Sequence, residues 1–202
     1  MKKIKCISLP ILILCCFYSN ISSAQNVEKQ NHNDWELHWK FGYSQFMALN
    51  DFSRYLKGGA GVQTEIGVPY KKFEFSASVN ANFPKAKNDF ILNNNIVNIN
   101  DKMEADMVGF SAYYAVLYTD YLKISPITGI VWCSLFKDEN RPQYIFTETI
   151  GLQIESHVNI GNGSRLPIYL KYNYCFPQRY GNEINSGMHF ISIGFILVIA
   201  RW

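Results

Sequence analysis

Ser156 and His157 are neighbouring residues whose side-chain types serve as nucleophile and base in hydrolases. They fall in a segment with strand-like alternation, where consecutive side chains point to opposite faces, so hydroxyl and imidazole cannot meet. None of His38, His157 and His189 has a serine two residues later, so these histidines form no His-x-Ser pair. We therefore expect that the protein is not an enzyme and has no catalytic residue.

Cys133 and Cys175 are the cysteines that follow the first two dozen residues. They occupy the same face of two predicted strands separated by a third, which puts their backbones about 10 Å apart. A disulfide requires Cα atoms within about 7 Å, so we expect two free thiols. The isolated histidines lack partners at a metal-binding spacing, and we expect no metal site and no other cofactor.

Charged side chains alternate with aromatic ones in several segments. In WELHWKFGY, residues 35–43, the polar positions are Glu36, His38 and Lys40. Acidic and basic residues on the polar faces are equal in number, and buried charges persist when they are paired. We expect a salt-bridged polar network formed by Glu36, His38, Lys40, Glu65, Glu74, Lys123, Glu155, Lys171 and Arg201.

The elements that position these side chains are β-strands, because apolar and polar residues alternate with a period of two. An even number of antiparallel strands can close into a barrel with no unpaired edge. The sequence therefore predicts an all-β fold, a closed up-and-down antiparallel barrel of about eight strands, near 35–43, 59–68, 73–83, 105–118, 122–132, 144–158, 168–176 and 188–202.

The connections between the predicted strands alternate in length. Those after the second, fourth and sixth strands are short, which places them together at one end of an antiparallel barrel. The Asn-rich segment 87–102 is the longest connection and the one expected to be least rigid. The other end carries the longer connections, predicted at about 46–58, 84–104, 133–143 and 177–187.

Residues 1–24 have the pattern of a secretory signal peptide. Lys2, Lys3 and Lys5 precede an apolar run of about 12 residues, which is too short to span a membrane, and small residues precede Gln25. Cleavage would leave a short segment at 25–33 and one domain at 34–202. It would also reduce 19 basic and 16 acidic residues to 16 of each, so we expect no nucleic-acid partner.

Alternation alone allows two orientations of the apolar face. Pointing inward, it gives a secreted lipocalin-like carrier of a small apolar ligand; pointing outward, it gives a transmembrane barrel with a polar lumen. The unequal loops favour the membrane, as do aromatic residues near both ends of the predicted strands. At the short-turn end these are Trp35, Tyr70, Phe73, Tyr118, Tyr121 and Trp202, and at the other end Tyr43, Phe83, Trp132, Tyr144, Phe146 and Phe176.

The segment FILVIARW, 195–202, is predicted to be the last strand. Ile196, Val198 and Ala200 are in phase with the terminal Trp202, and Arg201 falls on the opposite, lumenal face. Residues 195–199 are apolar on both faces, so the pattern leaves the phase of this strand open. A final aromatic residue resembles the C-terminal signal by which outer-membrane barrels are recognised for assembly, and Trp202 is assigned that role.

Together, the signal peptide, the eight amphipathic strands and the terminal aromatic residue resemble the small eight-stranded outer-membrane barrels of Gram-negative bacteria, the OmpA/OmpX-like or porin-family proteins. The resemblance implies a monomer in the bacterial outer membrane with a structural, adhesion or surface-interaction role carried by its loops. The partners that it implies are outer-membrane lipid and lipopolysaccharide, the barrel-assembly machinery and an unknown surface ligand or envelope protein. A small barrel can also act as a lipid-modifying enzyme or form a narrow pore, but the residues favour neither role.

Overall fold

The computed structural model describes residues 35–92, 95–119, 121–137, 144–161, 164–180 and 184–201. The predicted signal peptide at 1–24, the segment at 25–33 and Trp202 lie outside the described residues.

Eleven strands and one short helix make up the described chain. Eight of the strands correspond one to one with those predicted from the alternation. The elements in chain order are β1 (Glu36–Ala48), α1 (Phe52–Tyr55), β2 (Leu56–Tyr70), β3 (Phe73–Ala86), β4 (Phe90–Leu92), β5 (Asn95–Val97), β6 (Glu104–Tyr114), β7 (Leu117–Tyr118), β8 (Leu122–Phe136), β9 (Tyr144–Gly161), β10 (Ser164–Tyr180) and β11 (Ile184–Arg201).

Eight long strands form one closed antiparallel ring. Each of them pairs with its neighbours in the order β1, β2, β3, β6, β8, β9, β10, β11, and β11 pairs again with β1. The predicted eight-stranded barrel is therefore confirmed. Two short strands, β4 and β5, form a separate hairpin, and β7 adds two residues to the edge of β8.

The seam between β1 and β11 requires glycine at one crossing point. Gly42 and Gly194 are direct partners there. A Cβ added to Gly42 would lie 2.8 Å from the Cα of Gly194, and one added to Gly194 would lie 2.6 Å from the Cα of Gly42. These strands approach so closely that no larger residue fits without moving the backbone.

A bulge in β11 determines the phase of the last strand. Leu37 pairs with Ala200 and His38 pairs with Val198, so Ile199 has no partner in this ladder. Before the bulge, Ile196 faces the lumen and is 2% exposed. The sequence pattern leaves the phase of this strand open, and the structure places Ile196 on the lumenal face, with the extra residue shifting the alternation by one beyond it.

The outer face of the barrel is apolar and the inner face is polar. Trp39 and Phe75 are 41% and 61% exposed, whereas the ammonium-bearing side chains of Lys40 and Lys171 are completely buried. This is the reverse of a lipocalin-like carrier, whose aromatic face would point inward. No helix in the described part of the chain has the length and apolar character needed to cross a membrane.

The two ends of the barrel differ. At the turn end, β2 and β3 are joined by residues 71–72, and the ends of β1 and β11 lie beside each other. At the loop end, α1 and the β4–β5 hairpin connect the long strands. Aromatic residues mark both ends: Trp35 stacks on Tyr70 at the turn end, with ring centroids 4.5 Å apart, and Trp132 meets Phe146 towards the loop end at 5.3 Å.

Several strands extend into segments predicted as loops. The hairpin of β10 and β11 keeps its pairing as far as Tyr180 and Ile184, inside the predicted loop at 177–187. The Asn-rich segment 87–102, expected to be the least rigid, contains the β4–β5 hairpin, and its Leu92 and Val97 side chains are 4% and 0% exposed. These apolar side chains of β4 and β5 pack into the core at the loop end.

An apolar core closes the loop end of the lumen. Phe46, Met188 and Phe190 enter it from the barrel wall, and Phe52 on α1 and Phe90 on β4 enter it from the connections above. The polar lumen predicted from the sequence is therefore limited to the rest of the barrel. The other buried members of this core are Leu56, Ala86, Leu92, Val97, Met103, Ala105, Met107, Val131, Cys133, Leu135 and Cys175.

Candidate functional site

Six charged side chains meet in the lumen between the apolar core and the turn end. They lie at inward positions of β1, β2, β3, β8, β9 and β10, where the strand alternation places them on one side of the wall. We call this group the lumen network, and its members are Lys40, Glu65, Glu74, Lys123, Glu155 and Lys171.

Lys40 lies at the centre of the lumen network. Its Nζ atom is 2.9 Å from Glu65 Oε1 and 2.6 Å from Glu74 Oε1. On the opposite wall, Lys171 Nζ is 2.5 Å from Glu65 Oε2. All of these side chains are at most 1% exposed, so water does not screen the interactions.

Lys123 extends the network towards the turn end. Its Nζ atom is 3.3 Å from Glu74 Oε2 and 3.0 Å from Glu155 Oε1. The ion pairs thus run without a break from Lys171 through Glu65, Lys40, Glu74 and Lys123 to Glu155. Three lysines face three glutamates, so the buried group is neutral when all six side chains are charged.

Neutral side chains complete the network, and the sequence pattern does not identify two of the main ones. The Tyr113 hydroxyl donates to Glu65 Oε1 at 2.7 Å, and Lys40 Nζ lies 4.3 Å from the Tyr113 ring centroid. The Gln153 amide donates to Glu155 Oε1 at 2.6 Å. Tyr113 alternates in phase with the inward residues of β6, but the sequence pattern predicts that aromatic residues face outward.

Three other members of the predicted polar network lie at the rim of the turn end. Glu36 Oε2 is 2.8 Å from His38 Nε2, and Glu36 Oε1 accepts a hydrogen bond from Arg201 Nε at 2.7 Å. The Arg201 side chain is 69% exposed. The structure therefore brings six of the nine predicted residues into one buried group and places Glu36, His38 and Arg201 outside it.

A cavity of ≈ 450 Å³ opens between this rim and the lumen network. His157 contributes to its wall, whereas Ser156 is exposed on the other face of β9, so the two side chains lie on opposite sides of the sheet. The charged and imidazole side chains around the cavity are Glu36, His38, Lys71, Lys123, Glu155, His157 and Arg201.

The arrangement favours a filled lumen over a channel. An eight-stranded barrel is only wide enough for side chains to fill its interior. The charges of the lumen network are engaged with one another, and the apolar core occupies the next level of the barrel. Within the described ranges, no group of three or more His, Cys, Asp and Glu side chains is arranged to hold a metal ion.

Comparison with family models and with curated protein sequences finds no match. Among solved structures, Neisserial surface protein A (NspA) aligns with a TM-score of 0.54 and 11% identity, over 81% of this chain and 97% of that chain. The N-terminal β-barrel domain of Pseudomonas aeruginosa OprF aligns with a TM-score of 0.44 and 15% identity, over 82% and 98% of the two chains. Ail of Yersinia pestis, in a phospholipid bilayer nanodisc, aligns with a TM-score of 0.45 and 12% identity, over 80% and 99%.

The likeness to NspA covers the ring of strands that the residues themselves predict, and at this identity it concerns the fold alone. The closed antiparallel ring of this chain agrees with that likeness. The chain therefore has the fold of the small eight-stranded outer-membrane β-barrels.

Proposed function

We propose that the protein is an integral outer-membrane protein of a Gram-negative bacterium, exported by a cleaved signal peptide, with its turn end in the periplasm and its loop end outside the cell. The observation that carries this proposal is the separation of the two faces. Phe41, Phe75 and Phe110 are exposed on the outside, while the lumen network is buried inside. Lipid solvates the first set, and the second set requires shielding from lipid.

Membrane fractionation tests this proposal. The protein should sediment with the outer membrane, resist extraction by salt and enter the detergent phase. In addition, its gel mobility should change on boiling, because a detergent-resistant closed barrel is more compact than the unfolded chain. Recovery of the protein in a soluble fraction without detergent would contradict the proposal.

The proposed role is a structural and surface-interaction role carried by the loop end. The β4–β5 hairpin presents Ile91 and Ile96, which are direct cross-strand partners, each 68% exposed, and Ile99 nearby is 56% exposed. Exposed apolar patches on a water-facing surface mark interaction sites. NspA is a surface protein by name, and we propose the same situation for this chain.

A binding comparison tests the role of this isoleucine patch. Outer-membrane vesicles that carry the protein should adhere to epithelial cells or to bacterial cells that lack it, and I91S/I96S should reduce that adhesion. Because both side chains are exposed, the barrel should fold normally. The control N88S changes an exposed residue of the same connection, outside the patch. Equal adhesion of the wild-type and patch variants would contradict an adhesive role for these residues.

Lipopolysaccharide is the lipid partner that we propose. Lys57 and Lys85 are direct partners across β2 and β3, and Lys85 is bridged to Lys102. None of the three forms a salt bridge with a described acidic residue. Like charges placed opposite each other repel, and phosphate groups in the outer leaflet would offset the repulsion.

Bilayer composition tests the lipid proposal. Bilayers that contain lipopolysaccharide should raise the unfolding midpoint of the wild-type protein relative to phospholipid alone. The triple variant K57Q/K85Q/K102Q should lose that increment, whereas K71Q/K72Q at the turn end should keep it. An increment that is unchanged in the triple variant would contradict this assignment.

The remaining parts of the proposal concern assembly and activity. We propose that the protein is a monomer, that the barrel-assembly machinery recognises its C-terminal strand with Trp202, and that it has no enzymatic activity. Deletion of Trp202 should lower the inserted fraction. Lipid A profiles from cells with and without the protein should be identical, and a change in acyl chains caused by the protein would contradict the last point.

A further inference from the structure

Four sulfur-containing side chains meet inside the apolar core at the loop end. They come from four different strands, β6, β8, β10 and β11, and each is at most 2% exposed. We call them the sulfur cluster: Met107, Cys133, Cys175 and Met188.

Strand pairing places these residues side by side. Met107 is the direct partner of Cys133 across β6 and β8, and Cys175 is the direct partner of Met188 across β10 and β11. The two pairs are separated by β9, where Thr149 is the direct partner of Cys175. Because all of these side chains point into a narrow lumen, residues of non-adjacent strands approach each other.

Two of these sulfur atoms are in contact across the lumen. Cys175 Sγ is 3.6 Å from Met107 Sδ, although 68 residues separate them in the sequence, and it is 3.9 Å from Thr149 Oγ1. Cys133 is buried in the same core and is the direct cross-strand partner of Met107, whose sulfur atom Cys175 contacts. Both cysteines are free.

This spacing is close to what a bound metal ion requires. With metal–sulfur bonds of about 2.3 Å, two ligands in trigonal or tetrahedral geometry have their sulfur atoms about 3.8 to 4.0 Å apart. The distance between Cys175 Sγ and Met107 Sδ differs from this by a few tenths of an ångström at most. Binding would therefore require only small rotations of side chains.

We propose that the sulfur cluster is a binding site for one soft monovalent cation of the Cu(I) and Ag(I) class, with Cys133, Cys175 and Met107 as ligands. Thiolate and thioether ligands together select soft ions. One thiol loses its proton to solvent as the metal–sulfur bond forms, while the second thiol and the thioether donate as neutral ligands. One thiolate and one monovalent cation make a neutral complex, which suits an apolar core.

The sulfur cluster differs from ordinary packing because sulfur-containing side chains from several strands lie together. A buried cysteine or methionine alone packs as a small or flexible apolar side chain. Here a methionine and two cysteines from three strands lie together in one core: Cys175 contacts Met107 sulfur to sulfur, and Cys133 is the direct cross-strand partner of Met107.

Titration with Ag⁺ alone tests the proposal, because this ion does not change its oxidation state. The chain from residue 25 onward, which contains Cys133 and Cys175 as its only cysteines, is folded in detergent. Ag⁺ is added either to the folded protein or during refolding, so that access through the closed loop end does not limit the result. Native mass spectrometry should show one ion per chain, with release of one proton.

Three variants distinguish an Ag⁺ ion bound jointly by several sulfur ligands from an Ag⁺ ion bound by a single thiol. C175S and M107L should each weaken the affinity at least tenfold, and circular dichroism establishes that each variant folds. M47L is the matched control, because Met47 is a methionine on the outer face of β1, and its affinity should equal that of the wild type.

Several outcomes would overturn the proposal. They are two Ag⁺ ions per chain, undiminished affinity in M107L, no binding in either protocol, and tighter retention of Zn²⁺ than of Ag⁺. A mass for the isolated protein that is lower by two hydrogens would show that the thiols are joined in a disulfide, which would also exclude the site.

Discussion

Lys171 on β10 contacts Glu65 on β2 across the lumen, with Nζ and Oε2 2.5 Å apart and 106 residues between them in the sequence. The other oxygen of Glu65 contacts Lys40 on β1 and Tyr113 on β6. One carboxylate therefore connects four strands of the ring and neutralises two buried cations in part.

Replacement of Glu65 should destabilise the barrel strongly. E65A would leave Lys171 without its carboxylate partner and Lys40 with only Glu74, and loss of one partner of a buried pair costs about 3–5 kcal/mol. Urea unfolding in lipid vesicles measures the free energy of unfolding. The control is E36A at the rim, where a partly exposed pair contributes about 0–1 kcal/mol. Similar losses in the two variants would contradict the proposed importance of burial.

A charge on the outer face should be costly in a membrane. Val79 lies midway along β3, faces outward and is 44% exposed. V79K should reduce the free energy of unfolding in lipid by about 2–4 kcal/mol, because a lysine at mid-depth faces hydrocarbon. N88K, in the exposed connection after β3, is the control and should change it little. A negligible effect of V79K in lipid would argue against a membrane-embedded face.

The contact between the β5–β6 connection and the residue after β8 should depend on pH. Lys137 Nζ bonds to Asp101 Oδ2 at 2.5 Å, and this hydrogen bond holds the pKa of the Asp101 carboxyl below its usual range. The stabilisation is therefore complete above the ordinary aspartate pKa of about 3.9 and is lost as the pH falls through the lowered value. Carboxyl NMR titration checks the direction of the shift.

The variant K137Q distinguishes the effect of the Lys137–Asp101 pair from a general effect of acid on the protein. In K137Q the pKa of Asp101 should return towards its ordinary value, and amide exchange in residues 96–103 should rise at a higher pH than in the wild type. K87Q, which changes a nearby exposed lysine, should leave the profile unchanged. An identical exchange profile in K137Q would contradict the role of the pair.

Substitution at the seam should impair ring closure. G194V adds a branched side chain where even a Cβ would meet the backbone of Phe41 and Gly42, and overpacking of this kind costs about 1–3 kcal/mol or more. The folded fraction, read from gel mobility before boiling, should fall. S192A changes the preceding lumen-facing position of the same strand and should fold normally. Normal folding of G194V would show that the seam can open locally.

The sequence predicts the ring because alternation reports directly on the two unlike faces of each strand. It is enough to place Lys40 and Lys171 inside and Trp39 outside. It does not predict the apolar core, because Phe46 and Phe190 occupy inward positions at which the same pattern expects polar residues. Those residues are stabilised by contacts with distant segments, which local periodicity does not contain.

The arrangement of the turn-end rim and the β4–β5 hairpin could not be predicted from the sequence, for related reasons. The end of β11 is apolar on both faces, so its sequence pattern does not reveal a shift of one residue. The bulge at Ile199 and the position of Arg201 that results from it are therefore not predictable from the local sequence. The β4–β5 hairpin lies in an Asn-rich segment without sustained alternation, and its Phe90 and Val97 pack into the core over the barrel. The alternation places all six residues of the lumen network on the inner face of their strands. Which lysine contacts which glutamate depends on the stagger of neighbouring strands, which the alternation does not give.

The pairing of β1 with β11 also sets an order of events. These strands are separated by almost the whole described length of the chain, so ring closure is the contact with the highest sequence separation and the largest loop-closure entropy. Before β11 pairs with it, β1 has an edge with unpaired amide and carbonyl groups. Until β11 pairs with β1, another surface must cover that edge. Once the last strand is in place, the closed barrel no longer requires such a surface.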